Sequence, residues 1–132
     1  MIKNLAHVCF VVSDLDASIA FYEKLGLKQT FDFVRDTGER HGVYLHISGR
    51  NFLELFVGKL DPPAERQRYK HVCFEVDDMD ATVASLRSQG ITASDPKLGS
   101  DKSIQSWLKD PDGNQIELHQ YTPQSKQAPW VK

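Results

Sequence analysis

The sequence predicts an α+β fold built from two tandem βαβββ modules that form a curved mixed sheet. Two stretches repeat one another, residues 7–17 (HVCFVVSDLDA) and residues 71–81 (HVCFEVDDMDA), and each begins with a histidine. Each copy also ends on a strand-like stretch with a glutamate between apolar neighbours, at Glu54 and at Glu117. Strand-like and helix-like patterns follow in the same order between these ends, so the chain is an internal duplication.

The first module begins with a strand and a capped helix. Residues 7–12 are β-branched and aromatic, as in a strand buried on both faces. Asp14 then stands where a helix N-cap is favoured, and apolar residues recur at helical spacing from Leu15 to Leu25. Gly26 is placed to end the helix in the left-handed conformation. We therefore expect one strand followed by one helix.

The second module repeats these signals with different residues. Asp78 is the expected N-cap, and Gly90 is the expected stop. Met79, Val83 and Leu86 keep the helical spacing of their counterparts. The duplication thus preserves the physical pattern as well as the letters.

Short extended stretches follow each helix. The predicted strands are residues 27–33, 43–47 and 52–57 in the first module, and 91–94, 104–109 and 115–121 in the second. The run Asp110-Pro111-Asp112-Gly113-Asn114 predicts the turn of the last hairpin, since proline presets one turn angle and glycine or asparagine accepts a positive one.

The domain organisation follows from these elements. A single domain over residues 1–122 is expected, with module one at about 5–58, a linker at about 59–69 and module two at about 70–122. The linker is marked by a proline pair and polar residues. Residues 123–132 are interpreted as a loose C-terminal tail.

Composition narrows the classes of partner and location. The chain has 132 residues, of which 40% are apolar, and a formal charge of -2, so nothing favours binding to nucleic acid or to an anionic membrane. The N-terminus lacks a signal-peptide pattern and no run is long enough to span a membrane. We expect a cytoplasmic protein with a small-molecule substrate. Cys9 and Cys73, two residues after each histidine, are expected to be reduced, half-buried packing residues.

The duplicated histidines and glutamates indicate a metal site. A lone histidine at the start of a strand is more often a packing residue, but an approximate twofold relation between the copies would bring His7, Glu54, His71 and Glu117 together in a cleft. Two imidazole nitrogens and two carboxylate oxygens suit a borderline divalent ion: Ni²⁺, Zn²⁺, Co²⁺, Mn²⁺ or Fe²⁺. The absence of thiolate from this set favours an open, exchangeable site over a closed structural one.

The chain resembles the vicinal oxygen chelate superfamily, which includes glyoxalase I, epimerases, extradiol dioxygenases, fosfomycin-modifying transferases and bleomycin-binding proteins. The resemblance covers residues 5–121 and is carried by the repeated pattern, the two histidines, and the stretches 14–22 (DLDASIAFY) and 110–118 (DPDGNQIEL). It implies a cleft that binds one divalent ion per site through His7, Glu54, His71 and Glu117.

The order His, Glu, His, Glu is similar to that of glyoxalase I. Epimerases of the superfamily usually have glutamine at the second position, dioxygenases and fosfomycin enzymes use two histidines and one carboxylate, and bleomycin-binding members commonly lack the ligands. The resemblance therefore implies a lyase or isomerase that abstracts a proton next to a carbonyl through a metal-stabilised enediolate. Glu117 is the expected base and Glu54 its partner.

Two departures argue against glutathione as the cosubstrate. Bacterial glyoxalases hold glutathione with an arginine and an asparagine at positions that are Val11 and Gly58 here. A different hydroxycarbonyl, keto acid or thiol adduct fits the pattern equally well. The alternatives that stay open are an epimerase, an Fe-dependent dioxygenase and a metal-free protein that binds a small molecule or drug.

Four further residues are predicted to bind substrate. Strand alternation puts Glu75 on the face of His71, His119 on the face of Glu117, and Phe56 on the face of Glu54. Trp107 is interpreted as pocket wall or core. A solvated strand end is the alternative for Glu75, and a supporting hydrogen bond is the alternative for His119.

Three surface features complete the expectations. The polar loop at residues 96–103 is a candidate for closure over substrate, or a simple connection. Arg66, Arg68 and Lys70 form a basic cluster that either holds an anionic group or is solvated. The family resemblance implies a homodimer, and Trp130 is a candidate for packing against the partner subunit.

Overall fold

The computed structural model describes residues 1–62 and 69–131, so the predicted roles of Arg66 and Arg68 fall outside the described residues. The chain divides into two compact units, Met1–Gln67 and Arg68–Lys132. In the ranges that the structure describes, each unit contains one helix and one four-stranded mixed sheet. The predicted α+β architecture of two βαβββ modules is confirmed. No helix within the described residues has the length and apolar character needed to cross a membrane.

The first unit contains strands on either side of one helix. Its elements are β1 (His7–Val12), α1 (Leu15–Lys24), β2 (Lys28–Val34), β3 (Arg40–Ser48) and β4 (Asn51–Val57). The sheet order is β1-β4-β3-β2, in which only the β1–β4 pair is parallel. This pairing sets the first and last strands of the module side by side.

The second unit repeats this order with shorter strands. Its elements are β5 (Val72–Glu75), α2 (Met79–Ser88), β6 (Lys97–Leu98), β7 (Ile104–Lys109) and β8 (Gln115–Gln120). The sheet order is β5-β8-β7-β6, and β5 runs parallel to β8. The last strand of each unit thus lies beside its first strand, which begins at His7 in the first unit and directly after His71 in the second.

Both helices begin and end where the sequence predicted. The side chains of Asp14 and Asp78 accept hydrogen bonds from the amides of Ala17 and Ala81, three residues on, as N-caps do. Gly26 has a φ of 94°, which lets the chain leave α1 in the left-handed region at no steric cost. The cap and stop signals read from the sequence are confirmed.

The core of each unit lies on one face of its sheet. In the first unit the helix covers fully buried strand residues on that face, among them Leu53 and Leu55. The expectation that residues 7–12 are buried on both faces is therefore wrong. Phe10 and Val12 are buried, whereas Val11 is 48% exposed, because a single helix covers only one side of the sheet.

The outermost strand of the second sheet, β6, does not lie where the sequence predicted it. Residues 91–94 contribute only one bridge, between Ala93 and Leu108, because the Ala93 carbonyl accepts hydrogen bonds from the Arg87 guanidinium. The short strand β6 lies instead inside the stretch 96–103, which was predicted as a loop.

The C-terminal segment is also more ordered than the predicted loose tail. The Lys126 amide donates to the Asp101 carbonyl at 2.8 Å, and the Gln127 side chain donates to the Asp101 carboxylate at 2.7 Å. Ser125 is buried, and its hydroxyl lies 2.7 Å from that of Ser103. These contacts fix the segment against the turn that follows β6.

The predicted last hairpin turn is organised by one buried carboxylate. Asp110 is 5% exposed; its Oδ1 accepts from the amides of Asp112 and Asn114, and its Oδ2 accepts from the Asn114 side chain. We expect Asp110→Ala to lower the free energy of unfolding by about 1–3 kcal/mol, since several donors lose their acceptor at once. Urea unfolding followed by circular dichroism measures this. Asp36→Ala, at an exposed turn position between β2 and β3, is the control, and equal losses in the two variants would contradict the assignment.

Candidate metal centre

The first predicted ligand pair meets on the open face of the first sheet. His7 Nε2 lies 3.6 Å from Glu54 Oε2, and the Glu54 side chain is 16% exposed. The other ring nitrogen of His7, Nδ1, lies 2.8 Å from the hydroxyl of Tyr44. Tyr44 pairs with Glu54 across β3 and β4, so strand register places it here. Such a hydrogen bond fixes which nitrogen of His7 is free to bind an ion.

The second ligand pair is closer and more buried. His71 Nε2 lies 3.0 Å from Glu117 Oε2, and the Glu117 side chain is 8% exposed. The His71 ring meets Trp107 edge to face, with 4.9 Å between centroids. Trp107 pairs with Glu117 as Tyr44 pairs with Glu54. Each histidine ring therefore contacts an aromatic residue at the same position of its module.

His119 supports the second carboxylate. It is buried, and its Nδ1 lies 3.1 Å from Glu117 Oε1. Its Nε2 lies 3.7 Å from Asp101 Oδ2. The hydrogen bond from Gln127, and next that from the Ser103 amide, lower the pKa of the Asp101 carboxyl. A chain of contacts thus links Glu117 to the C-terminal segment through His119 and Asp101.

The two cysteines lie beside the same glutamates. Partial desolvation, followed by a hydrogen bond to Glu54 and its negative charge, raises the pKa of Cys9 to about 11. Desolvation, then the charge of Glu117, raises the pKa of Cys73 to about 12. Both thiols are free and exposed, not the half-buried packing residues expected. Cys73, Glu117 and His119 bring possible donor atoms within 4.8 Å of one another.

The donor chemistry fits a divalent cation. In the described part of the chain, the ion pairs of Glu54 and Glu117 are made with histidines and not with lysine or arginine. A carboxylate as buried as Glu117 is costly without a positive partner. An ion bound by imidazole and carboxylate would supply that charge, and this donor set is one that Zn²⁺, Ni²⁺ and related ions accept.

The structure joins His7 to Glu54 and His71 to Glu117, one pair in each unit. Of the predicted substrate residues, His119 and Trp107 contact the second pair, and Phe56 follows Glu54 on the same face of β4. Glu75 is exposed at the end of β5. Gly58 packs beside Val11, since a Cβ at Gly58 would meet the Val11 side chain at 2.9 Å.

Sequence reasoning missed three residues of these clusters. Tyr44 carries a signal, because it alternates with Gly42 and His46 on the strand that precedes Glu54. Asp101 and Gln127 carry no local signal, since their role depends on the contact between the C-terminal segment and the turn after β6.

Comparison with known proteins agrees with this architecture. The sequence model of the Glyoxalase/Bleomycin resistance protein/Dioxygenase superfamily matches residues 4–118 of this chain. The metallothiol transferase FosB of Staphylococcus epidermidis is 33% identical over 89% of this chain and 82% of its own length. The uncharacterized protein YaeR of Escherichia coli is 29% identical over 90% of this chain and 97% of its own.

A solved structure supports the same relationship. The glyoxalase family protein from Enterococcus faecalis superposes with a TM-score of 0.76 at 27% identity, covering 89% of this chain and 97% of that protein. The family match spans both modules and both histidine–glutamate pairs. The chain belongs to the Glyoxalase/Bleomycin resistance protein/Dioxygenase superfamily.

Proposed function

We propose that this protein is a divalent-metal-dependent lyase or isomerase of the glyoxalase I type, which abstracts a proton next to a carbonyl without using glutathione. The observation that carries the proposal is the histidine–glutamate pair present in both units, at 3.6 Å in the first and 3.0 Å in the second. Both modules contain the carboxylate that a proton transfer needs. The two positions that hold glutathione in bacterial glyoxalases are Val11 and Gly58 here, and neither carries a charged or polar side chain.

His7, Glu54, His71 and Glu117 would hold the ion. When bound, a divalent ion supplies Lewis-acid stabilisation for negative charge that develops on substrate oxygens. The histidines offer Nε2 atoms, which already face the carboxylates, and the Tyr44 hydroxyl orients the first of them through Nδ1. The protein thereby presents its ligands in a fixed orientation.

Glu117 is the proposed base. His71 and His119 contact its two carboxylate oxygens and so hold the group in one orientation. The substrate C–H bond breaks, its proton passes to the carboxylate, and its electron pair moves towards the carbonyl oxygen. The hydroxyl proton then passes to the former carbonyl oxygen, and return of the first proton to the carbon that bears this oxygen gives the isomer, in which the carbonyl group lies on the neighbouring carbon. Glu54 is the proposed partner carboxylate in this transfer.

Metal removal tests the proposal. We expect the purified protein to catalyse deuterium incorporation into α-hydroxyacetophenone or hydroxyacetone in deuterium oxide, and a chelator to reduce the rate to background. Adding Ni²⁺, Co²⁺ or Zn²⁺ should restore the exchange, because charge on the substrate oxygens then regains its counterion. Proton nuclear magnetic resonance follows the exchange directly. A rate that ignores both chelator and metal would overturn the proposal.

A metal-dependent thiol transferase is the second candidate function. Its specific support is the 33% identity to a protein named metallothiol transferase FosB. Glu54 separates the two candidates, since fosfomycin enzymes of the superfamily work with two histidines and one carboxylate. Thiol consumption in the presence of fosfomycin that survives Glu54→Ala favours the transferase. Deuterium exchange that is lost in this variant at limiting metal, and recovers at saturating metal, favours the lyase or isomerase.

A further inference from the structure

The open face of the first sheet carries a connected set of aromatic rings, here named the aromatic arc. Its members are Phe52, Tyr44, Phe31, Phe33 and Phe56, whose consecutive centroids lie 5.1, 5.0, 5.2 and 4.9 Å apart. The two ends of the arc stand on β4 directly before and after Glu54 on the same face. The arc therefore borders the proposed metal ligand.

The aromatic arc is not part of the core. The core side of β4 consists of Leu53 and Leu55, which are fully buried on the opposite face. The arc residues remain partly accessible, and Phe31 is 50% exposed. A contiguous set of partly accessible aromatic rings beside a proposed ligand is a candidate binding surface.

The second unit has the same fold and therefore shows whether the fold itself requires aromatic residues at the positions of the arc. Strand register makes Gln115 and His119 of the second unit equivalent to Phe52 and Phe56, because both pairs flank the glutamate of the last strand. Likewise, Lys97 takes the place of Phe33 in the outermost strand. The second sheet forms with polar residues at these three positions, so the fold does not require phenyl rings at Phe52, Phe56 or Phe33, whereas the position of Tyr44 is aromatic in both units, as Trp107 in the second.

A glycine on β3 makes room for one end of the arc. A Cβ at Gly42 would lie 2.5 Å from the Phe56 ring and 2.8 Å from the Leu55 carbonyl oxygen. The absence of a side chain lets one edge of the Phe56 ring, at Cδ1 and Cε1, approach the β3 backbone closely. The equivalent position of the second unit is Gln105, beside His119, so this close approach belongs to the aromatic face alone.

We propose that the aromatic arc binds an aryl group of the substrate, which makes aryl-substituted α-hydroxycarbonyl compounds the substrate class. This inference rests on the proposed function for the reacting carbonyl and on the arc for the aryl group. Aromatic rings stack with offset or edge-to-face geometry at the separations found between the arc residues. The Tyr44 hydroxyl, 2.8 Å from His7 Nδ1, joins the arc to the metal-ligand pair.

Binding without metal tests the inference independently of catalysis. The probes are α-hydroxyacetophenone and hydroxyacetone, which differ only by phenyl in place of methyl, titrated in the presence of chelator while amide chemical shifts are recorded. We expect the phenyl compound to bind at least about tenfold more tightly, with shifts concentrated on β2, β3 and β4. Equal affinity, or shifts confined to other elements, would overturn the inference.

Two variants assign the preference to the arc. Phe52→Gln introduces the residue of the equivalent second-unit position and should abolish the preference for phenyl. Phe21→Gln, an aromatic change on α1 of the same unit, should retain it. If Phe52→Gln instead converts a dimer into a monomer and no preference exists, the arc is an interface between copies and the inference is wrong. Retained phenyl preference without deuterium exchange would contradict the proposed function alone.

Discussion

Glu117→Gln is expected to slow metal-dependent deuterium exchange by at least about a hundredfold. Glutamine keeps the size and shape of the side chain but cannot accept the substrate proton. It also replaces one carboxylate oxygen by an amide donor, opposite either His71 at 3.0 Å or His119 at 3.1 Å. The measurement is the turnover rate for deuterium incorporation, with bound metal quantified on the same samples by atomic emission.

Glu23→Gln is the matched control, because it makes the same chemical change at an exposed position of α1. It should leave both turnover and metal content unchanged. Glu54→Gln separates the two proposed carboxylate roles, since a ligand that is not the first base should lose metal affinity more than turnover at saturating metal. Full activity of Glu117→Gln at normal metal content would exclude Glu117 as the base.

The duplication made most of the fold predictable. Asp14 and Gly26 at the ends of the first helix use local hydrogen bonding and local backbone freedom, so three or four residues of sequence contain the whole signal. The pairing of His7 with Glu54 required one further step, namely that the first and last strands of a module are neighbours. The repeat supplied that step, because both copies begin with histidine and end with glutamate.

The failures have a different physical origin. Residues 91–94 have a strand-like sequence, but the Arg87 guanidinium donates to the carbonyl of Ala93 from outside this stretch, so the four residues themselves contain no sign of the hydrogen bond. The contact of Gln127 with Asp101 likewise joins two loops far apart in sequence. The one-sided burial of β1 was missed because composition alone does not reveal whether an apolar strand is covered by one layer or two.

The aromatic residues of β4 could be assigned only by combining the sequence with the structure. Phe52 and Phe56 alternate with Leu53 and Leu55, so the strand is apolar on both faces, and its sequence resembles that of a fully buried strand. Only the structure separates the face that builds the core from the face that borders Glu54. Comparison with Gln115 and His119 then shows that the fold does not need the rings of Phe52 and Phe56.

Leu55→Ala is expected to lower the free energy of unfolding by about 2–5 kcal/mol. Leu55 has no exposed surface and lies between Phe10 of β1 and Val43 of β3 in the sheet, both of which are also buried. Truncation removes apolar contacts and leaves a cavity that the surrounding strands, fixed by their hydrogen bonds, fill only in part. Guanidinium unfolding followed by circular dichroism gives the difference, read from the midpoint at unchanged slope.

Val34→Ala is the control for this prediction, because Val34 ends β2 and is 56% exposed. Its cost should stay within about 0.5 kcal/mol, as for surface substitutions in general. Leu118→Ala, at the equivalent position of β8 and 2% exposed, should cost as much as Leu55→Ala if the two units use their sheets alike. A cost for Leu55→Ala no larger than that of Val34→Ala would mean that the core does not lie on this face of the sheet, and the assignment of the opposite face to binding would fall with it.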